Sequence, residues 1–592
     1  YNGNGYNNIP NPLYNTQFAH KDFTKNFNVV DNFSLEFAMR ENLRLTAQFS
    51  LTKGTSAGET FKSMNHTDYE KNGTPLLERG EYNKSIGNTM NWSTNASINY
   101  NLTKDKHLLS MFARWEIAQN QNDGIFLQAK GFPNDNMTDF QFSQEIEKRD
   151  VSNTETTSRS MGLTATVSYM YDFRYSLDFN LRGDMSSQFG ADTKMKPFWS
   201  VGARWNASRE KWLEGSFVSN LVLRTSYGIT GSQNYDPYQA VEGYSFEDLM
   251  FQYLSSGVIG AELKGFGNPD LDWSTTEDFS AAIELGFFND RLTASVNYYN
   301  HYTDQLLLDN NIAPSTGFPT LMTNIGAISN KGVDVTLGFT PIQDYERQIQ
   351  WNVSINGNHN SNKVKKISNE IKKVNEENLN NKTKPLPIYE EGKSTTQLFV
   401  VRSLGIDPAT GNEIFLKRNG ERTFFWNAND KVAVGDTEPK FRGGITSGLT
   451  WKDWSVNLGF TYEFGAYTYN QTLVDRIENV NLLHNADRRA AKDRWRKPGD
   501  IAKYKSIAFS GRTTELSSRF VQKKNEIAFS SISIGYHFDP KKFGFLKQCK
   551  IAGINLTGSM QDLGRISSVK QERGTDYPFA RTVNLSMSVL FN

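Results

Sequence analysis

The side chains that most often perform catalysis are scattered along this chain and form no recognisable motif. The glycine-rich segment 54–62 lacks the spacing that cradles phosphates, and no GxSxG turn supports a nucleophilic triad. Cys549 is the single cysteine, which disfavours disulfides and cysteine-based metal sites. Neither HExxH nor paired-ligand spacing occurs among the seven histidines, which are His20, His66, His107, His301, His359, His484 and His537. The sequence therefore predicts a protein that is not an enzyme and that carries no cofactor.

Binding of metal ions or nucleic acid has equally little support. Segment 134–136 (Asn-Asp-Asn) could hold Ca²⁺ in a loop, but EF-hand spacing is missing. Lys and Arg total 65 against 64 Asp and Glu, which leaves no basic excess for nucleic acid. The lysines between residues 363 and 384 alternate with glutamates and lack stacking aromatics, so they indicate a solvated loop. We predict no metal site and no nucleic-acid partner; Ca²⁺ in the loops or in a partner stays an unsupported option.

Aromatic rings in two long polar segments are the best candidates for ligand contact. Such rings beside polar donors suit sugar faces or peptide side chains, because they combine contact area with orienting hydrogen bonds. The predicted substrate-binding residues are Tyr235, Tyr238, Tyr244, Phe246, Phe424 and Trp426. The alternative is that these rings pack the loops together or meet a partner protein, since aromatic residues often anchor protein interfaces.

The elements that must position these rings are strands in which apolar and polar residues alternate. The last eleven residues place five apolar side chains on one face, namely Val583, Leu585, Met587, Val589 and Phe591. A strand of roughly 9–11 residues with this alternation suits a transmembrane β-barrel, which meets lipid on one face and a wet lumen on the other. An edge strand of a soluble sheet could show the same pattern, so the other segments must decide.

Alternating segments recur in pairs along the whole chain, which predicts hairpins. In the clearest pair, segments 279–287 and 292–298 flank a turn at Asn289-Asp290. Longer polar stretches separate the pairs, at 52–91, 116–160, 230–277, 300–332, 358–442 and 463–527. Alternating short and long connections are the layout of an outer-membrane barrel, with short periplasmic turns and long extracellular loops. We count about seventeen strands by this pattern.

Composition agrees with strands as the membrane-crossing elements. Mean hydropathy is −0.58, and the absence of an apolar run of about 18 residues excludes a transmembrane helix but not a barrel. The 40 Phe, 25 Tyr and 11 Trp can supply aromatic girdles, with Trp205, Tyr298, Tyr299 and Tyr462 among the predicted members. Bacterial single-chain barrels have an even strand number. We therefore expect further N-terminal strands outside this sequence.

Five sequence blocks stand out from the alternating background. They are 199–205 (WSVGARW) with 223–234 (LRTSYGITGSQN), 268–276 (NPDLDWSTT), 324–334 (NIGAISNKGVD), 405–411 (GIDPATG) and 573–581 (RGTDYPFAR). In this order they resemble the SusC/RagA family, the TonB-dependent outer-membrane transporters of the Bacteroidota. The resemblance runs over essentially the whole chain and matches the C-terminal part of the family's barrel.

This resemblance implies that residues 1–592 are the C-terminal portion of an all-β, antiparallel barrel of about 22 strands with long extracellular loops. The last seventeen or so strands would be present, while the first strands and the luminal plug would be missing. The resemblance also implies TonB-driven import of oligosaccharides or peptides, a SusD-like lipoprotein lid and, as an option, a dimer of transporter–lid pairs. The five apolar residues of the last strand would carry the barrel assembly signal. The chain ends on Asn592, one residue past the aromatic Phe591 that commonly closes the family's barrels.

Two other classes of protein stay open at this point. A passive porin would share the barrel, but its lumen would be narrowed by its own loops and it would have no lid. A secreted glycan-binding adhesin would use the alternation for a sandwich and would dissolve without detergent. The family blocks favour the importer over both, whereas strand pattern alone disfavours only the adhesin.

Overall fold

The computed structural model describes residues 12–146, 151–189, 195–232, 237–245, 261–311, 315, 318, 320–481, 487–509, 511–570 and 580–591. Strands make up most of this part of the chain. The first eight are β1 (His20–Arg40), β2 (Leu43–Lys62), β3 (Glu81–Lys104), β4 (His107–Lys130), β5 (Val151–Tyr171), β6 (Tyr175–Ser186), β7 (Lys196–Asn206) and β8 (Val218–Ser232).

Seventeen further strands follow in chain order. Eight are β9 (Gly243–Ser245), β10 (Glu262–Gly265), β11 (Ser274–Phe287), β12 (Leu292–Asp304), β13 (Leu307–Asn311), β14 (Thr320–Asn324), β15 (Ala327–Asp344) and β16 (Ile349–Lys366). Nine are β17 (Gln397–Ile406), β18 (Glu413–Leu416), β19 (Arg422–Thr423), β20 (Lys431–Asp436), β21 (Phe441–Trp451), β22 (Trp454–Tyr469), β23 (Val521–Phe538), β24 (Ile551–Ser567) and β25 (Val583–Phe591).

Seventeen of the strands form one antiparallel sheet in which each strand pairs with its neighbours in sequence. This main sheet contains β1–β8, β11, β12, β15, β16 and β21–β25. Within the described residues β1 and β25 do not pair with each other, so the sheet is not closed. The predicted all-β, antiparallel class and the predicted strand count are both confirmed.

Successive connections between the described strands of the main sheet lie alternately at its two ends, with 2–12 residues at one end and 9–74 at the other. The two ranges overlap only because 187–195 is shorter than 207–217 and 539–550. One end of the sheet carries the short turns, at 41–42, 105–106, 172–174, 207–217, 288–291, 345–348, 452–453 and 539–550. The other end carries the long connections, at 63–80, 131–150, 187–195, 233–273, 305–326, 367–440, 470–520 and 568–582. The hairpin predicted around Asn289-Asp290 is present, with both turn residues at positive φ.

The strands are longer than the alternation indicates. β2 continues to Lys62 and β3 begins at Glu81, so much of the predicted loop 52–91 is paired strand. The predicted loop 116–160 likewise contains the end of β4 and the start of β5. These extensions carry Thr, Ser, Asn and Gly on both faces. Their apolar residues, such as Phe61, Tyr82 and Ala129 of a small buried cluster, are too few to give a regular alternation, so periodicity does not detect them.

Helices are few and short among the described residues. They are α1 (Thr67–Asn72), α2 (Asn369–Leu379), α3 (Gly544–Gln548) and a π-helix at Leu473–Glu478. Single 3₁₀ turns lie at Pro12–Gln17, Leu76–Glu78, Phe140–Phe142, Ala207–Arg209, Lys211–Leu213, Ala428–Asp430, Arg488–Ala491, Ile507–Phe509 and Ser518–Phe520. Within the described part of the chain, no helix has the length and apolarity needed to span a membrane. The interpretation of the 363–384 segment as a loop is wrong, because α2 occupies its centre.

Candidate functional site

The main sheet has one apolar and one polar face, and the polar face is the candidate functional surface. Strand register fixes which residues share it: Asp334 lies opposite Asn358, Asn358 opposite Arg442, and Arg442 opposite Glu463. The neighbouring residue Val335 pairs across the strands, by way of Gly357, Gly443 and Tyr462, with the exposed Ile527. These residues lie on the other face, because successive side chains of a strand point to opposite faces.

Polar side chains concentrate near the long-loop end of β11, β12, β15, β16 and β21. We call this cluster the polar wall; it contains Asp278, Asn297, Tyr299, His301, Asn330, Asp334, Asn358, Asn360 and Arg442. Two open depressions of about 660 Å³ and 490 Å³ lie along it and share Asp334, Asn358 and Arg442. The shared residues make the two depressions one continuous polar surface.

Hydrogen bonds between side chains hold the polar wall in one arrangement. The Asn358 amide donates to Asp334 Oδ1 at 2.6 Å and to Tyr299 Oη at 3.2 Å. Tyr299 Oη in turn donates to Asn360 Oδ1 at 3.2 Å. The imidazole of His301 pairs with the Asp278 carboxylate. Amides and hydroxyls fixed in this way can present donors and acceptors to a ligand without a large ordering cost.

A glycine opposite Tyr299 makes room for its ring. Gly332 pairs with Tyr299 across β12 and β15, and a Cβ atom at position 332 would overlap the Tyr299 phenol and the His359 carbonyl oxygen. Glycine is therefore required here by close approach rather than by backbone conformation.

Arg442 is the cation that both depressions share. Its side chain is exposed, and within the described part of the chain it has no ion pair or hydrogen-bond partner. On β6, by contrast, Arg182 of the polar face is paired with Glu116 at 2.6 Å and with Asp184 at 2.7 Å. A free guanidinium offers a planar set of donors to a carboxylate or to sugar hydroxyls.

A folded loop unit lies at the long-loop end of the polar wall. We define it as residues 367–440 together with the described part of 470–520. Its centre is the sheet of β17–β20, and its buried side chains include Phe399, Val400, Val401, Phe415, Ile477, Leu516 and Phe520. Asn360 Nδ2 donates to Glu438 Oε1 at 2.8 Å, and Thr395 N donates to Asn362 Oδ1 at 3.0 Å. These bonds fix the loop unit to β16.

A buried ion cluster joins the two long connections within the loop unit. One Arg519 nitrogen donates to Glu413 at 2.8 Å and to Glu478 at 2.7 Å, and Ser517 Oγ donates to Glu413 at 2.5 Å. Burial disfavours the charged guanidinium, but the two carboxylates together raise the pKa of Arg519 above its ordinary value. The cluster therefore holds β18, in the connection 367–440, against the residues that lead into β23.

Lys431 closes the end of α2 from inside the loop unit. Its ammonium donates to the carbonyl oxygens of Leu379 at 2.6 Å and Asn381 at 2.8 Å. Burial lowers the pKa of Lys431 to about 8, so the side chain stays protonated at neutral pH. A cation at this position also complements the negative end of the helix dipole.

Replacing Lys431 by methionine is expected to destabilise α2, because two buried carbonyl groups lose their donor. A loss of about 2 kcal/mol corresponds to amide exchange about thirtyfold faster over residues 369–381. Hydrogen-exchange mass spectrometry of the full transporter measures this. Lys417→Met is the control, because the Lys417–Glu421 ion pair is exposed and should contribute under about 1 kcal/mol. Equal exchange in both variants would contradict the assigned role of Lys431.

The predicted ligand aromatics fall into separate places. Tyr235 and Phe246 lie outside the described residues. Tyr238 accepts a hydrogen bond from Thr157 N at 2.9 Å, and Tyr244 Oη donates to Glu242 at 3.1 Å.

The other two predicted aromatics belong to the loop unit. Trp426 donates its indole N–H to the Leu516 carbonyl at 2.9 Å, and the Lys431 ammonium lies 5.6 Å from its ring centroid. Phe424 is exposed. Within the described part of the chain no ring contact or hydrogen bond joins Phe424 or Trp426 to Tyr238 or Tyr244. Their contact with a ligand stays a prediction.

Sequence reasoning missed the polar wall, although β16 carries a visible signal. Asn356, Asn358, Asn360 and Asn362 follow one another at every second position and thus share one face. Residues 358–442 were predicted as a loop because no apolar residue alternates with the last of these asparagines. A strand with polar groups facing the lumen and weakly apolar groups facing outward escapes a search for apolar periodicity.

The candidate Ca²⁺ loop and the last strand are the remaining predicted sites. The Asp135 carboxylate of the proposed Ca²⁺ loop accepts a hydrogen bond from Ser63 Oγ at 2.6 Å. The described residues contain no group of three or more His, Cys, Asp or Glu side chains that could hold a metal ion. Val583, Leu585, Met587, Val589 and Phe591 all lie on β25, which pairs with β24. Their role in barrel assembly stays a prediction.

Comparison with known proteins explains a single meandering sheet with long loops at one end. The family described as "TonB dependent receptor-like, beta-barrel" matches residues 1–499. The chain belongs to this family. The predicted resemblance to SusC/RagA-type TonB-dependent receptors and the predicted outer-membrane location are thereby confirmed.

Several relatives in this family are similar over most of the chain. TonB-dependent receptor P39 of Formosa agariphila is 26% identical over 564 residues, which cover 85% of this chain and 53% of that protein. TonB-dependent receptor SusC of Bacteroides thetaiotaomicron is 25% identical over 438 residues, covering 71% of this chain and 42% of that protein. The chain thus spans about half the length of the curated relatives it matches.

A solved structure shows the same fold. The RagAB peptide transporter superposes with a TM-score of 0.81 at 20% identity, covering 94% of this chain and 60% of that chain.

Membership of this family identifies the apolar face of the sheet as the lipid face. Phe33, Leu177, Leu223 and Leu585 are among the exposed apolar residues on it. Trp454 and Tyr462 lie on this face of β22, eight residues apart, which is about 27 Å along a strand. This distance fits the height of the apolar band between two aromatic girdles. The girdle assignment of Tyr462 is consistent with this position. The girdle assignment of Tyr299 is wrong, because register places Tyr299 on the polar face.

Proposed function

We propose that this chain forms the wall of a TonB-dependent importer for oligosaccharides or peptides. The observation that carries the proposal is the polar wall, a fixed set of amide, hydroxyl and charged groups beside the long-loop end of the sheet. In barrels of this class the long loops face the cell exterior, so an arriving solute would meet the loop unit and the polar wall first. The free guanidinium of Arg442 lies in both depressions.

The partners of the importer are part of the same proposal. A SusD-like surface lipoprotein would cover the loop end, and TonB would act through a plug inside the lumen. The unpaired edges of β1 and β25 would be joined by further strands that complete the barrel, because unsatisfied backbone groups are costly in lipid. Similarity to SusC and to the RagAB peptide transporter supports the lid by analogy. A dimer of transporter–lid pairs and Ca²⁺ in the loops stay options.

Uptake by intact cells tests the proposal. A strain that lacks the gene, the same strain with the gene restored, and a strain that also lacks TonB would be given labelled oligosaccharides and labelled peptides. We expect one solute class to enter only when both the transporter and TonB are present, and a protonophore to abolish its entry. Uptake that needs the transporter but neither TonB nor the proton-motive force would instead favour the passive porin.

Mass spectrometry of the complex purified in detergent tests the partners separately. We expect a lipoprotein to copurify in equal amount with the transporter. A transporter that purifies alone under mild detergent would contradict the lid, while leaving TonB-driven uptake to be judged by the first experiment.

A further inference from the structure

An apolar groove lies on the lipid face close to the short-turn end of β22–β25. It has a volume of about 350 Å³ and is lined by Trp454, Ile534, Tyr536, Phe538, Leu556 and Leu585. Gly558 forms its floor, and a Cβ atom there would meet no other atom within 4 Å. The groove is therefore a real gap in the side-chain surface, not only a stretch of exposed apolar residues.

Aromatic rings extend the groove toward the turn at 539–550. The rings of Trp454 and Tyr536 have centroids 4.7 Å apart, and those of Tyr536 and Phe538 are also 4.7 Å apart. Phe543 continues the series at 5.2 Å from Phe538. Phe545, the next ring along the turn, is exposed. Aromatic rings in this position are typical of the boundary between acyl chains and head groups.

The turn beyond these rings is basic. Segment 539–550 contains four lysines and one aspartate. Lys542 pairs with Asp453, the residue that precedes Trp454 of the groove. Lys541, Lys547 and Lys550 are exposed, and no acidic partner of theirs is found among the described residues. Three lysines without an ion-pair partner among the described residues thus stand at the water-facing end of an apolar groove, and Asp539 offsets only part of their charge.

We infer that this groove and turn bind one anionic diacyl phospholipid from the periplasmic leaflet. An acyl chain would lie in the gap above Gly558, the aromatic rings would flank the ester region, and the lysines would contact the phosphate. The charge complementarity argues for this occupant, because a zwitterionic lipid would bring no net charge to the three free lysines. The short-turn end is the periplasmic end of such a barrel, which places the groove in that leaflet.

Native mass spectrometry of the full transporter, stripped of lipid in detergent, tests the inference. Palmitoyl-oleoyl phosphatidylglycerol and palmitoyl-oleoyl phosphatidylcholine would be titrated separately. We expect one phosphatidylglycerol to bind about tenfold more tightly than phosphatidylcholine. The triple variant K541Q/K547Q/K550Q should reduce that preference to within about twofold. Gly558→Leu should weaken both lipids, because the new side chain fills the groove.

A matched control separates a specific site from overall charge. The triple variant K104Q/K211Q/R347Q removes the same charge from positions in or directly before three other short turns, which do not border the groove, and should keep the preference for phosphatidylglycerol. Equal binding of the two lipids by the unaltered transporter would overturn the inference. An equal loss in both triple variants would also overturn it, because diffuse charge would then explain the binding. The lysine variants alter only exposed side chains, so the test does not depend on Gly558→Leu folding.

Discussion

Replacing Arg519 by methionine is expected to speed amide exchange in the loop unit by about a hundredfold, more than any other single change proposed for that unit. The substitution leaves the carboxylates of Glu413 and Glu478 buried without their shared cation. Removing one partner of a buried ion pair typically costs about 3–5 kcal/mol, and 3 kcal/mol corresponds to about two orders of magnitude in a local opening equilibrium. Hydrogen-exchange mass spectrometry of the full transporter, followed over residues 397–436 and 511–520, measures the effect.

Arg489→Met is the matched control for this experiment. Arg489 pairs with Asp487 at 2.8 Å in the same loop, but about a third of each side chain is exposed to solvent. An exposed pair contributes about 1 kcal/mol or less, so exchange should change by less than about fivefold. If Arg519→Met behaved like this control, the buried cluster could not be what holds the two long connections together.

Replacing Gly332 by valine is expected to lower the affinity for the transported solute by about tenfold or more. The added side chain would overlap the Tyr299 ring and a backbone carbonyl of β16, so the ring must leave its place in the polar wall. Overpacking of this kind costs about 1–3 kcal/mol, and here the cost is relieved by displacing the Tyr299 hydroxyl from Asn358 and Asn360. Isothermal titration of the purified transporter with its solute gives the change.

Two further variants distinguish a changed site from a changed fold. Tyr299→Phe keeps the ring and removes only the hydroxyl, so a loss of about threefold to tenfold is expected from one hydrogen-bonding group. Gly87→Val adds the same side chain to β3 at a position with a nearest neighbour at 4.0 Å, and affinity should not change. Unchanged affinity in both Gly332→Val and Tyr299→Phe would remove Tyr299 from the binding surface.

The sequence predicted the main sheet well wherever one face of a strand is apolar. The hairpin of β11 and β12 and the last strand were found because their apolar residues alternate with polar ones over most of their length. The ends of β2, β3, β4 and β5 were missed because their few apolar residues, such as Phe61 and Tyr82, do not alternate regularly with polar ones. Strand pairing there depends on backbone hydrogen bonds, which leave no periodic trace in side-chain types.

The loop unit and the polar wall could not be predicted for related reasons. The lysines around α2 suggested a solvated loop, whereas the helix is capped by Ser368 Oγ and its end is closed by Lys431, which is distant in sequence. The ion cluster combines residues from β18, the π-helix and the 3₁₀ turn Ser518–Phe520 that precedes β23. Contacts between segments so far apart follow only from the order in which the strands pair.

Chemical protection of the polar wall by the transported solute tests the central claim most directly. The exposed Cys549 would first be replaced by serine, and Asn358→Cys or, as the control on the lipid face, Val333→Cys would then be introduced into the protein. We predict that the solute identified by uptake slows alkylation at position 358 by about tenfold and leaves position 333 unaffected, as expected for a contact that is occupied about nine-tenths of the time. Alkylation at position 358 that proceeds equally fast with and without saturating solute would contradict the proposal that the polar wall binds what the transporter carries.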